Sequence, residues 1–376
     1  MLLKILPRTG LLLTLLTLCP VPVRAQSLAG QAALDSVRAA YHLPALLAAV
    51  IEPGRIRYVY AGARRNDQPE PVRLTDYFHL ASETKSVTSL LAAKLVEQGR
   101  LSWDSELLVI VPELRVGALP AYAHVTLGQL LSHRAGVVPF TAGAEYQKLS
   151  KLTGSLAERR ARFGAYVLTL PPAPPEAGQA YRYSNAGYVL AALMLERVSH
   201  CSWETLVTKL FQKLKLRHWL GFPNRHDPRQ PWGHWRPTAA DSAFVPLGPT
   251  HAYQLADYMA PAGDLAMPLP DYARLTQLHL RGLLGRDNYV RAATFQTLHF
   301  GLPAYAYGWG VSSLAATGAA VSSHDGSAGT FFCHTILYPG QQVAFVVLTN
   351  DGDEPARRAC HALRRRLKAL YLNGKL

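Results

Sequence analysis

Four cysteines in 376 residues are too few for a disulfide framework. Cys19 lies in the N-terminal segment. The other three, Cys201, Cys333 and Cys360, are an odd set that reads best as small buried thiols, with at most one bridge. Charge is also sparse. Only 17% of residues are charged, and 49% are hydrophobic, which excludes a disordered chain and fits a globular one. Acids are the scarcer sign, 25 against 39 Lys and Arg, for a net charge of +14. No apolar run outside the N-terminus is long enough to span a bilayer. There is no internal repeat and no low-complexity tract. The fourteen histidines contain no H-E-x-x-H or similar ligand cluster, so no metal and no cofactor is implied. Nothing resembles a nucleic-acid module.

The first 25 residues have the form of a secretory signal. Lys4 and Arg8 give a basic start, Leu11 to Leu18 an apolar stretch, and Val23-Arg24-Ala25 a small-residue cleavage site. An uncleaved anchor would need a longer apolar run, and Leu18 stands before Cys19 where a lipidation signal has a small residue. The expectation is cleavage after Ala25 and export to the periplasm or medium, leaving no membrane span. Losing three bases and no acids takes the net charge from +14 to +11. Such a surface is compatible with an anionic cell envelope or anionic substrates. Much of the excess lies in the last helix, at Arg357, Arg358, Arg364, Arg365, Arg366 and Lys368. With Leu363, Leu367 and Leu370 as its apolar stripe, these bases read as its solvated face.

Hydrophobic periodicity predicts a helix over 29–41, then strands Ala45 to Ile51 and Arg55 to Ala61 joined by the turn Glu52-Pro53-Gly54. A Leu-rich helical middle follows, including 187–198. Residues 171–175 are a loop, and 221–249 read as a long irregular excursion. A helix over about 271–284 leads into strands at 307–314, 330–337 and 343–348, and a helix over about 354–372 closes the chain. Strands at both ends imply one sheet built from both termini: an α/β part of about 27–80 and 300–376, with a mostly helical insertion over about 81–299.

The stretch from Phe78 to Leu101 holds the only S-x-x-K, Ser82-Glu83-Thr84-Lys85. It opens what reads as an amphipathic helix, with Val87, Leu90, Leu91 and Leu95 at helical spacing and Gly99 at its end. Residues three apart share a helix face, so the Lys85 ammonium can reach the Ser82 hydroxyl. A serine hydroxyl is a poor nucleophile until a neighbour takes its proton, and a helix N-terminus favours an oxyanion. Alone, the motif reads better as an N-cap serine and a solvated lysine, since an S-x-x-K arises by chance roughly once in a chain of this length.

Two later pieces change that balance. Tyr183-Ser184-Asn185 precedes a helical run; a tyrosine beside a lysine can serve as a general base, and an asparagine offers a substrate both a donor and an acceptor. A second Y-x-N, Tyr371-Leu372-Asn373, sits in the terminal tail. His324-Asp325-Gly326 is followed by Ser327-Ala328-Gly329 and a strand, and its small neighbours suit a strand edge that a substrate approaches closely. The similar His299-Phe300-Gly301 leads into no strand.

In this order the three pieces resemble the penicillin-recognising serine hydrolases: class C β-lactamases, certain DD-peptidases and related esterases, which share S-x-x-K, Y-x-N and a K/H-x-G strand. FHLASETK, VTLGQLLSHRAGV, YRYSNAGYVLAALMLERV, APAGDLAM, YGWG, HDGSAGTFFCHTILYP and AFVVLTND extend the likeness over nearly the whole chain. The resemblance implies an antiparallel sheet flanked by helices, with an inserted helical domain and the site in the cleft between them. It makes Ser82 the acylated nucleophile and assigns its proton to Lys85 and Tyr183, without saying which acts as base. Asn185 would position the substrate, His324 would line the far wall, and the N–H groups of Ser82 and Ser327 would form the oxyanion hole. The product is an exported hydrolase of small ester, amide or peptide substrates. Alternatives are a β-lactamase or DD-peptidase proper, or a non-catalytic cell-wall binder or sensor. His133 reads as a structural residue closing a helix, Gly263 as a tight turn beside the cleft, and the His226-to-Trp235 stretch as a structural loop first, a loop wall of the pocket second, and a metal or sugar site last.

One departure from the family pattern concerns specificity. Asp325 stands where relatives commonly carry a hydroxyl, which would set a negative charge on the wall that docks a carboxylate. Like charges about 4 Å apart repel by about 1 kcal/mol in water and about 4 kcal/mol at an effective dielectric of 20. Uncharged esters or amides should then outperform cephalosporins and D-Ala-D-Ala peptides. The nucleophile itself is tested directly. Ser82→Ala should abolish turnover while leaving the fold intact, and a fluorophosphonate should label Ser82 in the wild type; labelling of another residue would end the assignment.

Overall fold

The computed structural model describes residues 23–141, 145, 152–236, 244–315 and 317–372, with side chains from residue 28 onward. The basic start, apolar stretch and cleavage-site side chains of the expected signal lie outside the described residues, as do Cys19 and Asn373.

The chain begins with helix α1 (Val23–Ala40), then β1 (Ala45–Glu52) and β2 (Arg55–Gly62), and β3 (Tyr77–Ala81) leads into α2 (Thr84–Glu97). Helices α3 (Leu156–Leu168), α4 (Asn185–Ser199) and α5 (Trp203–Leu214) build the middle. Short strands β4 (Trp219–Leu220), β5 (His234–Trp235), β6 (Val245–Pro246) and β7 (Leu265–Pro268) precede α6 (Leu269–Leu283). The chain ends in β8 (Gly310–Ser313), β9 (Ala320–Ser327), β10 (Phe332–Tyr338), β11 (Val343–Thr349) and α7 (Glu354–Leu372).

The main sheet runs β2-β1-β11-β10-β9-β8, antiparallel throughout, so both ends of the chain build it. Its central strands ALLAAVIE and VAFVVLT are almost wholly buried, because helices cover both faces. Side chains alternate between the two faces. Leu46, Phe345 and Val347 meet Leu34, Leu363 and Leu367 on the outer side, under α1 and α7. Leu47, Ala49, Val346 and Leu348 face the larger inner core. Leu370, expected in the apolar stripe of α7, is exposed; Ala356, Ala359 and Cys360 complete the buried face instead. Cys201, Cys333 and Cys360 are all unbridged, and the last two are buried.

The segment between the two halves of the sheet is not purely helical. A second sheet, β3-β7-β4, lies within it, and α6 leaves the helical group to pack on β1 and β11. No described helix is long and apolar enough to cross a membrane.

Helix α2 departs from the amphipathic reading, since its polar face is buried as well. The hydroxyls there bond inward: Thr84 to the Ala81 carbonyl (2.7 Å), Ser86 to the Glu83 carbonyl (2.7 Å) and Thr88 to the Pro261 carbonyl (2.8 Å). The Trp203 indole donates to Thr88, and Ser89 meets the Tyr188 hydroxyl. A helix covered on every side, with its polar groups satisfied, is a rigid mount for whatever stands at its N-terminus. Leu90 is fully buried in it. Leu90→Ala should cost about 2–5 kcal/mol in a urea unfolding titration, whereas Val109→Ala, at a position 58% exposed, should change little.

Candidate active site

Strand β3 breaks its pairing with β7 between His79 and Ala81, and Ala81 takes a left-handed conformation (φ 48°). That is a costly backbone state for alanine and is sustained by its surroundings. Thr84 holds it: its hydroxyl donates to the Ala81 carbonyl and accepts from the Leu265 N–H at 3.0 Å. The His79 ring accepts the Ala81 N–H at Nδ1 (3.2 Å) and so carries its proton at Nε2, which it gives to Asp264 (3.0 Å). The bend delivers Ser82 to the start of α2, where the helix field is positive.

One turn on, Lys85 is fully buried. Its ammonium nitrogen is 3.1 Å from Ser82 Oγ, 2.7 Å from Asn185 Oδ1 and 2.6 Å from the Ala262 carbonyl, which engages all three donors. Burial drives its pKa well below the ordinary lysine value. Tyr183 shares a hydrogen bond with Ser82, and its ring lies 4.8 Å from Lys85 Nζ. Burial raises the Tyr183 phenol well above 10, so it stays protonated across the physiological range. Asn185 spends Oδ1 on Lys85 and donates through Nδ2 to the Phe140 carbonyl (2.8 Å).

His133 is structural, but not as a helix closer that bonds the last carbonyls. Its Nδ1 accepts the Ser184 N–H (3.1 Å), and its ring packs 4.2 Å from that of Tyr183. His324 is buried 6.3 Å from the Tyr183 ring and meets the Tyr305 hydroxyl at 3.0 Å. Burial lowers its pKa to about 3, which keeps the ring neutral.

The expected charge on the wall is absent. Asp325 points to the outer face of the sheet, where its carboxylate accepts from His334 (2.6 Å) and His361 (3.2 Å). The pleat is the reason: with His324 and Gly326 turned inward, the residue between them must face outward. Gly326 is needed for space, since a Cβ there would sit 2.1 Å from the Leu80 carbonyl oxygen, beside the bend that carries Ser82. The register also sets the backbone of Ser327. Ala328 N–H bonds the Phe331 carbonyl, so alternation turns the Ser327 N–H away from β10. Strand β8 pairs only as far as Ser323, which leaves that edge to the cleft.

The cleft over Ser82 has a volume of about 640 Å³, within the usual range for small-molecule sites. Asn185, Ser327 and the turn of Gly263 line it, with His79 of the FHLASETK segment and with Phe222, Tyr253 and Leu255, to which no motif pointed. No described lining residue is Asp, Glu, Lys or Arg. The His226-to-Trp235 loop stays out of the cleft; its buried His234 bonds the Asn66 N–H and Asn350.

Behind Ser82, Glu83 is wholly buried against β10. It accepts from the Tyr272 hydroxyl (2.8 Å) and contacts the Cys333 thiol (3.8 Å). Burial raises its pKa to about 8. It is therefore mostly protonated at neutral pH and adds little negative charge beside Lys85.

The chain matches the Beta-lactamase family over residues 31–370. It is 24% identical over 339 residues to "Penicillin-binding protein 4" of Amycolatopsis lactamdurans, covering 86% of this chain and 84% of that one. Other curated relatives are covered over 34% to 48% of their length. A D-amino acid amidase from Ochrobactrum anthropi, solved with L-phenylalanine amide, superposes with a TM-score of 0.73 at 18% identity, over 94% of this chain and all (100%) of that one. A class C β-lactamase from Rhodobacter sphaeroides gives 0.69 at 22%, over 90% and 99%.

Glu83 supplies a pH test. Folding holds its proton more tightly than the unfolded chain does, so its contribution to stability is full below about pH 4.5 and is lost as pH rises through about 8. Glu83→Gln should keep the fold and flatten that decline in urea titrations; an equally steep decline in the variant would show that Glu83 is not its source.

Proposed function

This chain belongs to the Beta-lactamase family and is a serine hydrolase, and we propose that it cleaves uncharged esters or amides with an apolar acyl or leaving group, through an acyl-enzyme on Ser82. The observation that carries the substrate class is the cleft wall: His79, Phe222, Tyr253 and Leu255 are described there, and no charged side chain is. A cation facing a substrate carboxylate is worth about 1.5–3 kcal/mol, roughly one to two decades in affinity. Substrates with a carboxylate beside the scissile bond would forgo that gain here. Lys85 is turned inward among Ser82, Asn185 and the Ala262 carbonyl, where burial disfavours its charged form, and His324 is neutral. The ground for preferring uncharged substrates is thus a missing cation, and not the repulsion by Asp325 that the sequence led us to expect.

In the proposed reaction Ser82 Oγ attacks the carbonyl carbon as its proton passes to the neutral amine of Lys85. The N–H groups of Ser82 and Ser327 receive the charge on the tetrahedral oxygen. Collapse breaks the ester or amide bond, and the leaving group takes a proton back from Lys85, with the Tyr183 phenol as relay. Water then hydrolyses the acyl-enzyme by the same exchange. The depressed Lys85 and the raised Tyr183 favour the lysine over the phenolate as resting base. Export rests on the leader-like N-terminus alone and remains part of the proposal.

Tyr183→Phe should lose about 10²- to 10⁴-fold in kcat/KM, and Lys85→Ala at least as much. On wild type, aromatic and short-chain esters and amides should outrank a cephalosporin and a D-Ala-D-Ala peptide. A cephalosporin turned over with higher kcat/KM than every ester would refute the substrate class.

A further inference from the structure

The outer face of the main sheet carries a second group of chemistry-bearing side chains, away from the cleft. Asp325 on β9 stands directly across the ladder from His334 on β10, and His361 reaches over both from α7. The two imidazole rings lie 4.3 Å apart, and the carboxylate receives a hydrogen bond from each, at 2.6 Å and 3.2 Å. One donor atom from each of the three residues lies within 4.8 Å of the others. From this juxtaposition we infer that Asp325, His334 and His361 form a binding site for a divalent transition-metal ion, with Zn²⁺ the best fit.

Zn²⁺ bound at about 2.0–2.1 Å in a tetrahedron sets its ligand atoms roughly 3.3 Å apart. The two carboxylate–imidazole separations need to open by less than about 1 Å; the imidazoles need to draw together by at most about 1.5 Å. Two imidazoles and one carboxylate suit zinc and its neighbours, whereas Ca²⁺ and Mg²⁺ prefer all-oxygen sites. His334 is buried, and its Nε2 has no hydrogen-bond partner. Only the hydrogen bond to Asp325 fixes its tautomer, so once a metal takes that carboxylate the proton can move to Nε2, leaving the Nδ1 lone pair for the metal. His361 can make the same exchange through its other ring nitrogen.

The cations facing the group, Arg357 and Arg364, are both engaged, one with Glu354 and the other with the Tyr338 hydroxyl. Asp325 and His361 are partly exposed, which leaves the fourth position open to water. A metal there would tie α7 to β9 and β10, the strand pair whose inner side borders the cleft.

The test uses the full chain, stripped with a chelator and dialysed. Zn²⁺ is titrated by calorimetry, and Co²⁺ is followed by its visible absorption. One ion should bind per chain, with intense tetrahedral Co²⁺ bands, and Zn²⁺ should raise the melting temperature. His361→Ala and the isosteric Asp325→Asn should each weaken Zn²⁺ by at least about 10-fold and abolish the cobalt bands. His361→Ala should keep ester hydrolysis. Wild-type binding no tighter than millimolar, or binding and cobalt bands unchanged in both variants, would overturn the inference.

Discussion

The burial of the Lys85 amine against three acceptors is the constraint on which the rest of the site depends. An ammonium in that position pays desolvation that its neutral partners, a hydroxyl, an amide oxygen and a carbonyl, only partly return. The surroundings are arranged accordingly. Glu83, the nearest acid in sequence, is held mostly protonated by its own burial, and His133 and His324 are kept neutral. With no fixed counter-charge close by among the described residues, the lysine holds its proton less tightly than an exposed one, and in the proposed reaction its neutral amine, 3.1 Å from the serine hydroxyl, is the base. The surrounding hydrogen bonds of α2, the bend at Ala81 and the carbonyl of Ala262 hold that distance.

The cleft depends equally on a strand that reads poorly as one. AVSSHDGS has neither a run of β-branched residues nor a clean apolar alternation, and periodicity alone passes over it. It becomes β9 because β10, a wholly buried strand, supplies the partner, and because Gly326 permits the backbone to approach Leu80. Its inward residues then face the cleft and its outward residues face α7. Asp325 could not be assigned a side from the motif alone, because the pleat decides it, and the pleat follows from a register that the sequence does not state.

Much else was legible. The terminal hairpin, the strands 332–338 and 343–349 and the closing helix follow from apolar patterning that one sheet with two covered faces makes unambiguous. The S-x-x-K and Y-x-N residues do converge, since helical spacing places Lys85 over Ser82 and a helix start presents Asn185. The walls were not legible: Phe222, Tyr253 and His79 come from a loop, an irregular segment and a strand, joined only by tertiary folding. The Asp325–His334–His361 group is invisible for the same reason. Its spacings match no ligand motif, because two members meet across a ladder and the third arrives on a helix.

The central claim is that a neutral buried lysine takes the serine's proton. The most direct measurement is the pH dependence of single-turnover acylation by an activated ester. The account predicts a rate that rises through an ionisation well below the lysine value of 10.5 and is level above that ionisation. A rate that climbs steadily to near pH 10.5, as an ordinary lysine or a tyrosine phenolate would require, would contradict it.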